Sequence, residues 1–242
     1  VANGKPLPFP NLEKLLQSIA ASEGDDELLA QLSKIKKINY SKDEVKKLQR
    51  EGALAVNDLA AEFAEKGFSS NKALIALVLT RLHDLQVRDY AMGIVCEENI
   101  ETLWSMWKYL LVMAPNGYVA PVATLFSAIN YEKGDGSMAS KSLERAFADD
   151  VNYPLAKLLR RVYAAGWPPD SFAKMRGELH PKVIAALFGQ GELLDVLGAH
   201  ALGPVEVDVG RGYPGNGHGR FTAGRVERGA RQRVRSSAGP TN

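Results

Sequence analysis

Hydrophobic residues recur along most of this chain at spacings of three and four, the period of an amphipathic helix. Leu12, Leu15, Leu16 and Ile19 form the first stripe, behind Asn11, a favourable N-cap. After the polar break at 23–26, Leu28, Leu29, Leu32 and Ile35 form a second. Its last turn holds Lys34, Lys36 and Lys37, where cations suit the helix dipole. Ser41-Lys42-Asp43-Glu44 has the capping-box pattern and predicts a long helix to about Lys66, stopped by Gly67. Gly52 lies inside that helix and lowers its stability by about 1 kcal/mol against Ala. Ser69 or Ser70 caps the next helix. Its run from Ala73 to Leu79 is apolar nearly all round, which predicts a place in the centre of a domain.

The second half repeats the pattern. Asn99 precedes Leu103, Trp104, Met106, Trp107, Leu110 and Leu111. Pro115-Asn116-Gly117 reads as a turn, and Pro121 suits a first helical turn ahead of Val122, Leu125, Phe126 and Ile129. A Gly-rich loop at 132–137 leads to a helix starting at Ser137 or Ser140. Pro154 opens another, Trp167-Pro168-Pro169 ends it, Asp170 caps a short helix, and Pro181 opens one that Gly189 closes. The only strand-like alternation is a weak one at 205–209. No repeat of 33 to 47 residues appears, which argues against a solenoid. The expected fold is all-α, about ten helices in two lobes, at 11–117 and 118–202. A Pro-rich extended arm at 1–10 precedes them and a Gly/Arg-rich tail at 203–242 follows.

Charge changes the picture at the tail. It holds seven Arg, no Lys, and three acids, Glu206, Asp208 and Glu227, a net of 7 − 3 = +4 in a chain of +2. A basic arm on a near-neutral body points to a polyanionic partner, nucleic acid first. The single Cys96 excludes a disulfide framework and a Cys-based zinc site, and Glu97 and Glu98 beside it do not activate a thiol. The start is not a signal peptide, and no window reaches eighteen consecutive apolar residues, so no membrane partner is expected. A first residue of Val suggests that an initiator Met or a longer arm precedes it.

Catalytic chemistry has no carrier. His83, His180, His200 and His218 show no metal-ligand spacing, and His180 reads as a helix-start residue before Pro181. The Gly-rich run around Gly215 lacks the strand and helix of a phosphate loop. The Trp104, Trp107, Tyr109 stripe reads as core or lobe contact, with a base-stacking platform as the lesser reading. The chain is therefore read as a non-enzyme without cofactor or metal. The suggestive body residues are basic. Arg81 and Arg88 share a face if their helix continues, and Lys157, Arg160 and Arg161 cluster at i, i+3, i+4. With Arg211, Arg220 and Arg225 of the tail they are the candidate RNA contacts. The competing reading is a solvated helix face paired with nearby acids such as Asp84 and Asp89.

The stretch from Glu62 to Phe68, with Phe63-Ala64 and Gly67-Phe68, leads into a helix ending Leu79-Thr80-Arg81. It resembles the nucleocapsid proteins of segmented negative-strand RNA viruses of the phlebovirus and tenuivirus type. The passage from Leu158 through Trp167-Pro168-Pro169 to Phe172 is similar to one in the coat proteins of flexible filamentous plant viruses. The resemblance implies that Arg81 and Arg88 line an RNA groove between two lobes and that the N-terminal arm packs on a neighbouring subunit. The function expected is RNA packaging. Many copies would bind single-stranded RNA without sequence preference and polymerise head to tail into a filament, in the virion and the host cytoplasm. The alternative is a helical protein-interaction adaptor with a basic tail.

Overall fold

The computed structural model describes residues 11–199, with side chains as far as residue 189. The arm at 1–10, the tail at 203–242 and the strand-like stretch at 205–209 lie outside the described residues. Ten helices follow one another: α1 (Leu12–Ser18), α2 (Asp26–Lys34), α3 (Val45–Lys66), α4 (Lys72–Arg81), α5 (Leu85–Gly93), α6 (Ile100–Met113), α7 (Val119–Glu132), α8 (Gly136–Asp149), α9 (Pro154–Ala164) and α10 (Pro169–Ala199). The fold is all-α, and no strand occurs among the described residues.

α7 occupies the centre. Every residue from Val119 to Asn130 is buried, so this helix, rather than α4, is the one enclosed on all sides. Its polar residues are satisfied internally, as burial requires. The Thr124 hydroxyl donates to the Pro121 carbonyl (2.7 Å) and that of Ser127 to the Ala139 carbonyl (2.7 Å). Asn130 donates to the Phe126 carbonyl and accepts the Trp104 indole N–H at 2.8 Å. Asp149, at the end of α8, accepts from the backbone N–H groups of Gly117 (2.5 Å) and Ala120 (2.8 Å). A carboxylate at a helix start is doubly favourable, and here it closes the α7–α8 hairpin. Trp107 is fully buried, and Tyr109 packs edge-on against Phe63 at 5.3 Å while its hydroxyl donates to the Ser69 carbonyl. The aromatic stripe is core.

One hydrophobic cluster runs from Leu15 to Phe188. The lobe boundary expected after residue 117 thus falls inside a continuous core, where α6 and α7 pack together.

Helix boundaries move where tertiary partners compete with local signals. The capping box at Ser41 does not form: α3 starts at Val45 with no side-chain cap bond from Glu44, which faces Lys36 (3.6 Å), and the Tyr40 hydroxyl donates to Asp84 (2.8 Å). Asn71, not Ser69 or Ser70, caps α4, and Asp135 caps α8. At Gly52 α3 comes close to α4 and α5. A Cβ there would lie 2.7 Å from the Arg81 Cβ and 2.9 Å from a Val87 methyl. Glycine here serves a close approach, so its propensity deficit does not mark a weakness. The α10 helix passes straight through Pro181, and Gly189 breaks it with φ 76° and ψ 170°.

Candidate interaction surface

Arg81 and Arg88 do not share a helix face. α4 ends at Arg81, and Asp84 starts α5 by accepting from the backbone N–H groups of Gln86 (2.8 Å) and Val87 (3.1 Å). Asp84 is itself buried and also accepts from Tyr40 and from the Gln49 side chain (2.9 Å). Four donors on one carboxylate fix the corner between the two helices.

Both arginines point inward. The Arg81 guanidinium is 3% exposed. Its Nε and one terminal nitrogen donate to a Glu51 carboxylate oxygen at 3.0 and 2.8 Å, and the other donates to the Lys36 carbonyl at 2.7 Å. It ties α3, α4 and the loop after α2 together. Arg88 is buried and donates from two nitrogens to one Asp89 oxygen, at 3.0 and 2.6 Å. Burial disfavours its charge, but Asp89 and Tyr153 outweigh that and raise its pKa. Neither side chain lines a groove for RNA, and the face paired with acids is internal rather than solvated.

The second cluster does lie on the surface. Lys157 donates to Asn152 (2.8 Å), Arg160 is exposed with its guanidinium 4.6 Å from the centre of the Phe147 ring, and Arg161 is exposed. Arg211, Arg220 and Arg225 lie outside the described residues. Cys96 is half-buried, and burial and then a hydrogen bond with Glu98 push its thiol pKa up.

A surface that the helical periodicity concealed lies earlier in the chain. Residues 34–50 hold Lys34, Lys36, Lys37, Lys42, Lys46, Lys47 and Arg50 against Asp43 and Glu44, a net of 7 − 2 = +5. The six lysines are exposed. The charge density was legible, but these lysines fall in three different segments: the end of α2, a loop, and the first turns of α3. Beside them α3 and α4 leave a groove of about 710 Å³. Leu54, Ala55, Leu74 and Leu77 give it apolar walls, Lys46, Lys47 and Arg50 a basic side, and Glu51 and Asp58 the only carboxylates on its lining. Glu51 is already committed to Arg81.

The family described as Domain of unknown function (DUF4192) matches residues 4–170, more than half of the chain. The chain belongs to that family. No curated protein and no solved structure matches it. The DUF4192 match spans α1 to α9 and so includes the groove and the basic segment. Nearly all of α10 lies beyond it. Among the described residues, no helix is long and apolar enough to cross a membrane.

Proposed function

We propose that this chain is a helical protein-interaction module whose α3–α4 groove takes an acidic, leucine-bearing helical segment of a partner protein. One observation carries the reading: an open groove with an aliphatic floor has two exposed lysines, Lys46 and Lys47, on one side, and neither makes an ion pair among the described residues. An amphipathic helix seats its apolar residues in such a groove at i, i+3, i+4, i+7 spacing, and flanking carboxylates meet the basic side. Charge complementarity of this kind sets register and speeds association.

RNA packaging is supported less well. The two arginines assigned to an RNA groove are inside the fold. The floor of the open groove is aliphatic, whereas single-strand binders use aromatic platforms. The filament and the virion location depend on that reading and go with it.

The test is a paired titration of the full chain. One arm uses a synthetic helical peptide with Leu at i, i+3, i+4 and i+7 and Glu at the flanking positions, and the other uses poly(U) RNA. The peptide should bind in the micromolar range, and Leu54→Glu, at an exposed position, should weaken it at least tenfold. Poly(U) binding without peptide binding, with filaments in electron micrographs, would restore the packaging reading.

A further inference from the structure

We infer that the part of α10 between Pro181 and Gly189 is a hinged strap, latched by Arg50 and coupled through that latch to the α3–α4 groove. The coupling rests on the groove reading above; the strap itself does not. Three observations meet here. Pro181 sits inside the helix, where its missing N–H removes the bond to the Gly177 carbonyl and weakens that turn. The preceding residue, His180, lies against Gly93 of α5, so closely that a Cβ there would overlap the imidazole. Its Nδ1 is buried with no hydrogen-bond partner. An unsatisfied buried nitrogen favours any state that lets water reach it. Beyond the hinge the strap is closed at its far end. The Arg50 Nε donates to the Leu187 carbonyl at 2.7 Å, and a terminal nitrogen reaches the Phe188 carbonyl at 3.5 Å. Both carbonyls lie in the last turn before the Gly189 break, where the regular helical bonding pattern is interrupted.

The two halves of α10 are held differently. Before the hinge, Arg176 makes a buried two-pronged pair with Glu132, at 2.7 and 2.9 Å, and also donates to the Gly93 and Val95 carbonyls. After it, Ile184, Leu187 and Phe188 supply apolar contact and Arg50 the polar latch. Arg50 also lines the groove. An acidic segment seated there draws the guanidinium toward its own carboxylates and away from the strap. Reciprocity requires that release of the strap then strengthens binding of the segment.

Hydrogen–deuterium exchange of the full chain reads this directly, with 170–176 and 182–188 followed separately. Saturating Leu/Glu peptide should speed exchange in 182–188 about tenfold and leave 170–176 unchanged. Arg50→Ala should speed 182–188 without peptide. Arg50→Lys, which keeps the charge but not the forked geometry, should lie between. Unchanged exchange in both variants overturns the strap, whatever the peptide does. Peptide that binds without altering 182–188 overturns the coupling. Peptide that fails to bind, while Arg50→Ala still releases 182–188, overturns the groove reading and leaves the strap standing.

Discussion

Arg176 and Lys46 carry the same charge into opposite surroundings. Arg176 is 7% exposed, meets a carboxylate that is 6% exposed, and donates to two backbone carbonyls besides. Lys46 stands on the surface at the edge of a groove. A buried guanidinium is tolerated only when nearly every donor is matched, so its partners define it as part of the framework. An exposed ammonium costs the fold almost nothing and stays available to a ligand. Arg81 and Arg88 belong with Arg176. The basic residues most firmly held are thus those that tie helices together, and the ones open to a partner sit on α3 and the loop before it.

The sharpest way to break this comparison is to remove the carboxylate. Glu132→Ala leaves Arg176 charged and buried without its main partner. The expected loss is about 3–5 kcal/mol of unfolding free energy by urea denaturation. Arg81→Ala is expected to destabilise by a smaller amount, because Glu51 is half exposed and can turn to water. A loss below about 1 kcal/mol for Glu132→Ala would mean that the pair is solvated and that Arg176 belongs with the surface cations.

His180 gives the next effect. Burial first, and then the charge of Arg176, lower its pKa from 6.5 to about 4. The groups facing it are the Tyr90 ring and Gly93 on α5, the ring at 5.6 Å, and Arg176, whose charge is held by Glu132 of α7. The folded state keeps this imidazole neutral. Its contribution is therefore fully present above pH 6.5 and is lost as pH falls through the window from 6.5 toward 4. Between about pH 7 and pH 4.5 the protein should lose about 2 kcal/mol more than a His180→Gln variant does. Equal losses in the two proteins would show that the ring is already open to water.

These residues also show what the sequence could and could not disclose. The helical periodicity of α1, α2, α3, α6, α7, α8 and α9 was legible because each buries one face, or all of itself, against the core. The number ten is reached by another route, however. α5 does not stand out in the sequence as a separate helix, since no Gly or Pro marks the corner at 82–84. Its signal was Asp84 alone, a strong N-cap whose role depends on Tyr40 and Gln49 from far away in sequence. Pro181 has the local signature of a helix start, but Phe172, Arg176, Ile184 and Leu187 bury one continuous face and carry the helix through it. Arg81 looked like a surface group because its acceptors, Glu51 and the Lys36 carbonyl, lie 30 and 45 residues away and meet it only after packing. Arg88 pairs with its neighbour Asp89, an acid the sequence did offer, and what stayed hidden was that Arg88 is buried. Long-range acceptors leave no periodic trace.

The smallest effect on stability is the one most telling about function. Lys46→Ala with Lys47→Ala, and separately Arg161→Ala, each remove exposed charge. Every one of these proteins should unfold within about 0.5 kcal/mol of the parent, since surface substitutions of this kind change few contacts. Their binding should differ. The lysine pair borders the α3–α4 groove, and its loss should weaken the Leu/Glu peptide about tenfold and flatten the salt dependence, because two charge contacts disappear. Arg161 lies on α9 and is not part of the groove lining, so its loss should leave peptide affinity unchanged. Isothermal titration at two salt concentrations separates place from charge. Equal weakening in both variants would mean that the peptide senses only net charge, and the groove would no longer explain the binding.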